Sequence, residues 1–307
     1  MRLAFVTYRA LPQLSEDDRL AVGELRQQGV SVESAVWDSP LVDWSRYDGI
    51  VVRSTWDYHL RPHEFEGWLA HIDGLGIPLW NPAPLLRWNM DKRYLLDLSE
   101  RGVETVPTAI IDRASSVTLA DVLAETGWDD VVYKPSISAS GYRTARVLAG
   151  DHGAHQASFA QLLDERDVLV QPFIPEVVEH GEWSLLFFSG QFSHAVRKRS
   201  RAGEFRVQSD HGGVATAEAP RAALVAQAEG VLTHIPRPWL YARVDACDVN
   251  GALMLMELEL VEPDLFLRFH PSAPRRFAAA IRQLVAGRRT PISFTPRSVT
   301  PPGAPAN

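Results

Sequence analysis

The first 80 residues alternate short apolar runs with amphipathic segments, a pattern typical of strands that alternate with helices. Helices are predicted at about 16–28, after the N-cap residue Ser15, and at about 63–72. The predicted strands are residues 3–8, 30–37, 48–54 and 77–80. This order predicts an α/β fold that begins with an open, mostly parallel sheet with helices on its faces.

From about residue 89 onward, strands are predicted to follow one another directly, which favours antiparallel hairpins and mixed α+β lobes. One helix is predicted from about Asn89 to Glu100, with Lys92 near its start. Further helices are predicted at about 119–126, 155–165, 218–234 and 274–286. Further strands are predicted at 130–135, 143–148, 168–174, 182–188 and 191–199. The last twenty or so residues are rich in proline, and we expect them to be disordered.

Residues 243–263, RVDACDVNGALMLMELELVEP, predict a β-hairpin that turns at Asn250-Gly251. Carboxylates stand where apolar side chains are expected: Asp245 on the first strand, with Glu257 and Glu259 on the second. Residues two apart on a strand share a face, and Asp245 can reach the same space across the hairpin. Converging carboxylates repel one another unless a cation lies between them, and oxygen ligands suit Mg²⁺. The alternative is an exposed sheet face with scattered acids.

Composition limits the possible functions. The net charge of −7 and the pI near 5.8 argue against a nucleic-acid-binding protein. The single cysteine, Cys247, excludes an internal disulfide and is typical of a reducing compartment. The N-terminus lacks the pattern of a signal peptide, and no run approaches the ~18 apolar residues of a membrane span. We therefore expect a cytoplasmic protein without membrane or nucleic-acid partners.

The loop after the third predicted strand, RSTWDY, is unusually polar for a connector. Ligands of open parallel sheets collect at the carboxyl ends of the strands, where this loop lies. We therefore predict that Arg53, Ser54, Thr55 and Asp57 contact a small-molecule substrate, with Arg53 pairing with a substrate carboxylate. A strand-end loop that buries Trp56 is the alternative interpretation.

Basic residues and one small-residue loop supply a place for phosphates. Lys134 directly precedes the loop SISASGY, whose amides could cover phosphates. The other candidate cations are Lys92, Lys198, Arg206 and Arg243, each of which would by default be a solvated side chain. The chain has no GxxxxGK[ST], no HRD and DFG pair, no GxGxxG and no zinc-ligand histidine spacing. A polyphosphate held by cations and bridging metal ions fits what remains.

These segments together resemble the ATP-grasp superfamily, from the N-terminal sheet to about residue 270. The segment KRSRAGEFRVQSDHGG, residues 198–213, is similar to the K/R…G-(D/E)-F-R-x-N-x-x-x-G-G stretch of glutathione-synthetase and glutamate-ligase members. Asp245 and Glu257, twelve residues apart, match the metal-ligand pair of that group. Two positions depart from it, since Gln208 and Glu259 stand where the family has asparagine.

The resemblance implies ATP and two Mg²⁺ ions as cofactors, with Asp245, Glu257 and Glu259 as metal ligands. It implies that Lys92 and Lys134 hold the phosphates, and that Glu182 binds the ribose unless Glu176 or Glu179 does. The lid would be Ser138, Ala139, Ser140 and Gly141, and the adenine-binding hinge would be Gln171, Pro172, Phe173 and Ile174. The groups that stabilise the reacting centre would be Lys198, Arg206 and Arg243.

The resemblance also implies a division of the chain and a reaction. Residues 1–88 would form an N-terminal domain, 89–175 a lid subdomain, 176–287 a catalytic subdomain and 288–307 a tail. ATP would phosphorylate a carboxylate of an amino-acid-like molecule, and an amine would displace the phosphate. The N-terminal half and ELELVEP look like a subfamily that includes the cyclo-ligase that closes O-ureidoserine to cycloserine. A small-molecule kinase, a non-catalytic nucleotide-binding module and a homo-oligomer all stay open.

Overall fold

The structure is a computed structural model that describes residues 1–286. The predicted disordered tail, 288–307, lies outside the described residues. Within residues 1–286, no helix is long and apolar enough to cross a membrane. The strands form three sheets, drawn from three successive parts of the chain.

The first sheet is parallel, as predicted, and has the strand order β2-β1-β3-β4. Its apolar strands are buried between helices, and the hydroxyl of Ser15 caps the first helix by accepting from the amide of Asp18. The elements are β1 (Arg2–Thr7), α1 (Glu16–Gln27), β2 (Ser31–Val36), β3 (Gly49–Ser54), α2 (Pro62–Gly74) and β4 (Leu79–Trp80).

The second sheet is antiparallel and has the order β5-β8-β6-β7. One face packs on two helices through an apolar core that includes Tyr133 and Phe159, whose rings meet edge to face. Its elements are β5 (Ala109–Ile111), α5 (Leu119–Thr126), β6 (Val131–Pro135), β7 (Ala145–Val147), α6 (His152–Glu165) and β8 (Val168–Pro172).

The third sheet is also antiparallel, with the order β11-β10-β9-β12-β13. The predicted hairpin is confirmed, and its register places Asp245 directly opposite Glu257, beside a bulge. The elements are α7 (Glu176–Glu179), β9 (Glu182–Phe188), β10 (Gln191–Arg199), β11 (Val214–Ala217), α8 (Ala222–Leu232), β12 (Tyr241–Val249), β13 (Ala252–Glu259) and α9 (Ala273–Ala286).

The predicted single helix at 89–100 is wrong, because the chain forms two helices there, α3 (Ala83–Met90) and α4 (Tyr94–Glu100). Asp91 is extended, and its carboxylate accepts from the amide of Arg93, a local bond that competes with helix continuation. The amide of Lys92 instead donates to the carbonyl of Ser136, 2.9 Å away. The break therefore joins Lys92 to the start of the small-residue loop.

Two buried asparagines attach the first sheet and α3 to the third sheet. The Asn81 amide group donates to the carbonyls of Tyr241 (2.9 Å) and Leu260 (2.7 Å). Asn89 donates to the Leu258 carbonyl, 2.7 Å away, and accepts from the Leu260 amide, also at 2.7 Å. Buried amides are costly to leave unpaired, so these bonds fix the end of β13 against the N-terminal part.

Candidate active site

The second and third sheets, together with loops that follow two strands of the first sheet, contribute to one cavity of about 660 Å³. Its walls include the small-residue loop, the end of β8, the 205–213 segment and the acidic ends of β12 and β13. From the N-terminal part come Tyr8, Trp56, Tyr58 and His59. The cavity has the size and the mixed polar and apolar lining of a small-molecule site.

The chain has only three lysines, and all of them line this cavity. Lys92, Lys134 and Lys198 come from three separate elements, and their side chains are only 8%, 14% and 7% exposed. Lysine is normally a surface residue, so its confinement to a buried cavity indicates a functional requirement for positive charge there.

The first part of the charged network surrounds Asp245. This carboxylate accepts from Arg243 Nη2 (2.9 Å), Lys198 Nζ (3.1 Å) and Ser184 Oγ (2.5 Å). Burial alone would raise the pKa of Asp245, but the charges of Arg243 and Lys198 outweigh it and lower that pKa to about 2. Lys198 Nζ also lies 2.5 Å from Glu182, so one lysine bridges the two acids.

The second part surrounds Glu257. Lys134 Nζ donates to its Oε1 at 2.5 Å, and Lys92 Nζ lies 3.9 Å from the same oxygen. Burial opposes ionisation of Glu257, but the two lysines outweigh it and lower its pKa to about 2. Lys92 Nζ also donates to the Ser138 carbonyl at 2.6 Å, so it connects the small-residue loop to the acidic strand.

Glu259 completes the acidic face and is bonded to Arg243 Nη2. Burial, together with the charges of Asp245 and Glu257, raises the pKa of Glu259 to about 7. Among the described residues, no group of three or more His, Cys, Asp or Glu side chains is arranged to hold a metal ion. The three carboxylates suit Mg²⁺ by donor type, but each is bonded to a lysine or arginine, and these ion pairs must rearrange before one ion is shared.

Two loops meet over the cavity. His211 Nε2 lies 3.2 Å from the Ser140 carbonyl, which joins the small-residue loop to the 205–213 segment. Gly141 has φ +68°, a conformation that other residues rarely adopt, and a Cβ there would lie 3.0 Å from His211 Nε2, so this contact favours glycine. Arg206 lines the cavity beside this contact and is paired with Glu204 (2.8 Å).

The predicted hinge lies at the end of β8, and its residues Gln171, Pro172, Phe173 and Ile174 all line the cavity. Gln171 donates to the hydroxyl of Thr108 (2.9 Å), and the Phe173 amide donates to the Asp130 carbonyl (2.8 Å). The guanidinium of Arg146 lies 3.4 Å from the centre of the Phe173 ring. These contacts fix the hinge residues in place along one wall of the cavity.

The four predicted substrate-binding residues do not line the cavity. Arg53 is 2% exposed and donates to Asp18 (2.8 Å) and to the Pro263 carbonyl (2.9 Å). Ser54 donates to the same Asp18 (2.6 Å). The hydroxyl of Thr55 is buried without a partner among the described residues, and Asp57 accepts from Trp37 and Arg61. The Arg53 guanidinium is thus occupied by protein groups, which leaves its predicted contact with a substrate carboxylate without support.

Sequence reasoning missed two groups that do line the cavity. The first is Trp56, Tyr58 and His59, which belong to or follow the RSTWDY loop. The second is the segment after β13, which contributes Glu262, Asp264, Phe266, Arg268 and Phe269. The signal for the second group was present, because acidic residues continue beyond the hairpin in the run ELELVEPD.

A parallel N-terminal sheet followed by two antiparallel α+β units that enclose a lysine-lined cavity is the arrangement of the ATP-grasp fold. The RimK-domain ATP-grasp protein of Sphaerobacter thermophilus has this fold: the TM-score is 0.68 at 18% identity, covering 94% of this chain and 100% of that one. The family model described as the N-terminal domain of D-cycloserine synthetase DcsG matches residues 3–81.

The full-length comparisons define the family. The chain is 32% identical over 300 residues to the cycloserine biosynthesis protein DcsG of Streptomyces lavendulae, covering 92% of this chain and 98% of that protein. The crystal structure of D-cycloserine synthetase DcsG superposes with a TM-score of 0.84 at 30% identity, covering 93% and 100% of the two chains. The chain therefore belongs to the DcsG family and is an ATP-dependent ligase.

Proposed function

We propose that the protein joins a carboxylate to an amine on an amino-acid-like small molecule, using ATP and Mg²⁺. In this proposal the carboxylate attacks the γ-phosphorus and ADP leaves; the amine then attacks the acyl phosphate, releasing phosphate and a proton. The observation that carries the proposal is the confinement of all three lysines, with Arg243, to a cavity lined by the hairpin carboxylates. Phosphoryl transfer depends on such fixed cations. Its need for ATP places the reaction, in this proposal, in the cytoplasm.

When bound, ATP supplies the phosphoryl group, and Mg²⁺ neutralises part of its charge. Lys92 and Lys134 would bind the phosphates, since both already carry a carboxylate that an anion could replace. Lys198, Arg206 and Arg243 would stabilise charge on the acyl phosphate and on the tetrahedral centre that follows it. Burial alone would lower the pKa values of Lys198 and Arg243, but the charges of the neighbouring acids outweigh it and raise both pKa values, so both side chains stay positively charged.

Nucleotide contacts follow from the walls of the cavity. Residues 138–141 would close over the phosphates, and residues 171–174 would contact adenine, where the Ile174 amide makes no hydrogen bond to another described residue. Glu182 would bind the ribose after exchanging its contact with Lys198. The metal ligands would be Asp245, Glu257 and Glu259, which would hold two Mg²⁺ ions that neutralise phosphate charge.

The relatives suggest the substrate. One is named for cycloserine biosynthesis, so we propose an amino acid whose own side chain supplies the attacking nitrogen, which would close a ring within one molecule. Joining of two separate molecules would use the same groups of the cavity. Trp56, Tyr58 and Phe266, which also line the cavity, would contact such a substrate.

The test is ADP release with both enantiomers of O-ureidoserine and a panel of amino acids. We expect Lys134→Ala and Glu257→Gln each to lower turnover by about 100-fold or more, as loss of a fixed charge at a reacting centre does. Arg113→Ala, an exposed arginine of the same sheet region, is the control and should retain activity. Full turnover by Lys134→Ala would contradict the assignment, and ATP binding without ADP would favour a non-catalytic module.

Hydroxylamine distinguishes a ligase from a kinase. An acyl phosphate yields a hydroxamate with hydroxylamine, whereas a phosphorylated hydroxyl does not. The three lysines offer a separate readout, because an amine-selective acylating reagent can modify no other side chain of the 307-residue protein. We expect ATP to protect Lys92 and Lys134 from this reagent in peptide mass spectra, and equal labelling with and without ATP would count against their phosphate role.

A further inference from the structure

Glu262 lies on the cavity wall just beyond β13, in a segment whose backbone is fixed on both sides. The indole of Trp56 donates to the Glu262 carbonyl (3.1 Å), and Arg53 donates to the Pro263 carbonyl (2.9 Å). Arg243 Nη1 donates to the next carbonyl, that of Asp264, at 3.1 Å. The position of Glu262 relative to Arg243 is therefore set by the protein before any ligand arrives.

The carboxylate of Glu262 has no ion pair or hydrogen bond with another described residue. Five other acids that line the cavity are each paired with a lysine or an arginine: Glu182, Asp245, Glu257, Glu259 and Asp264. The remaining acid of the lining, Asp210, is exposed to solvent. A partly buried carboxylate without an ion-pair partner is unfavourable in the free protein. Burial and the charge of Glu259 raise the pKa of Glu262 to about 8.

The surroundings of Glu262 suit a small cation. Trp56 is bonded to its backbone, and Tyr8, whose ring centre is 6.3 Å from that of Trp56, lines the same wall with Tyr58. Aromatic faces attract ammonium groups, and a carboxylate beside them supplies the opposite charge. Arg243 donates to the carbonyl of Asp264, two residues beyond Glu262, and both side chains line the cavity without forming an ion pair with each other.

We propose that Glu262 binds the free ammonium group of the substrate while the reacting carboxylate lies toward Arg243. The ligand class is then an α-amino acid, whose ammonium and carboxylate are on adjacent carbons, rather than a simple carboxylic acid. The inference rests on the proposed function, because it assumes that a carboxylate is activated beside Arg243. The ammonium does not react, so Glu262 acts in recognition and orientation.

The test compares each accepted α-amino acid with its analogue that has hydrogen in place of the ammonium group, using ADP release. In the wild type we expect the amino acid to have the higher kcat/KM. Glu262→Gln keeps the size of the side chain and should raise the KM for the amino acid about 10–100-fold, the usual cost of a lost charged hydrogen bond. For the analogue, and for ATP, the KM should stay within about threefold. Glu66→Gln, an exposed glutamate on α2, is the matched control.

Each outcome has a definite meaning. Loss of discrimination between the two ligands in Glu262→Gln supports the inference. Undiminished discrimination, with ADP still produced, overturns the inference and leaves the proposed function intact. A change confined to the Mg²⁺ requirement overturns it too, because Glu262 would then be a metal ligand. Absence of ADP with every carboxylate in the wild type overturns the proposed function, and the inference with it.

Discussion

Two arginine–aspartate pairs contact the segment 262–268 through the carbonyls of Pro263 and Asp264, and they differ in what surrounds them. Arg53 and Asp18 are 2% and 1% exposed; Asp18 also accepts from the hydroxyls of Ser15 and Ser54, and Arg53 also donates to the Pro263 carbonyl. Arg243 and Asp245 are 9% and 3% exposed and line the cavity, where Lys198 and Glu259 share them. The first pair is closed by protein groups, whereas the second belongs to a network that a ligand can enter.

This difference shows that the sequence of a polar loop does not tell whether its charged residue pairs with a protein group or with a ligand. A closed pair, once broken, leaves a buried charge without compensation, so its main effect is on folding. A shared pair keeps some compensation when one member is lost, so its main effect is on the ligand. The comparison therefore predicts opposite consequences for equivalent substitutions.

The largest effect is expected for Arg53→Ala. Removing this guanidinium leaves Asp18 buried and uncompensated, and we expect the free energy of unfolding to fall by about 3–5 kcal/mol. The measurement is urea unfolding at pH 7.5, followed by far-UV circular dichroism. The protein that remains folded should keep the KM for the carboxylate substrate, and an unchanged stability with a raised KM would break the comparison.

Arg243→Ala is the matched substitution in the open pair. Asp245 would keep Lys198 at 3.1 Å and Ser184 at 2.5 Å, so the loss of stability should be smaller than for Arg53→Ala. Turnover should nevertheless fall by about 100-fold or more, since a charge at the reacting centre is lost. Greater destabilisation than in Arg53→Ala, with normal turnover, would reverse the assignment of the two pairs.

The sequence was informative where local pattern decides structure. The period of apolar residues predicted the parallel sheet, and Asn250-Gly251 predicted the hairpin that places Asp245 opposite Glu257. It failed at Asp91, where a side chain bonded to the backbone divides a helix, because periodicity alone does not register that competition.

Long-range pairing is what the sequence could not supply. Arg53 and its partner Asp18 are 35 residues apart, and Arg53 and Pro263 are 210 apart, so no local pattern shows that the guanidinium is enclosed. Glu262 was overlooked for the reverse reason: it lies outside the hairpin, and only the folded structure shows that its carboxylate has no ion-pair partner among residues 1–286. Residue type predicted chemistry, while tertiary contacts decided which charges are available to a ligand.

A third effect, of intermediate size, concerns a buried histidine that contacts the same segment. His194 is 4% exposed, and its Nε2 lies 3.1 Å from the carbonyls of Leu265 and Phe266. Burial lowers the pKa of His194 to about 4, below its usual value near 6.5. The unfolded chain therefore binds the proton more tightly, and stability present above pH 6.5 is lost as pH falls from 6.5 toward 4.

At pH 5.0 this histidine should account for about 2 kcal/mol of lost stability relative to pH 7.5. The measurement is the free energy of unfolding at the two pH values for the wild type and for His194→Gln. The variant should show a shallower dependence on pH, whereas His71→Gln, on the exposed surface of α2, should match the wild type. An equal pH dependence of the free energy of unfolding in all three proteins would mean that folding does not lower the pKa of His194.

The smallest effect is expected for a pair that is neither enclosed nor shared with the cavity. Arg199 and Glu218 are 2.6 Å apart, but their side chains are 48% and 32% exposed. Water and salt screen such a pair, so Arg199→Ala should change the free energy of unfolding by less than about 1 kcal/mol, and by less still in 1 M salt. The measurement is urea unfolding at 0.05 and 1 M NaCl. A loss of stability close to that of Arg53→Ala would contradict the comparison. It would mean that an ion pair stabilises the fold equally whether it is buried or exposed.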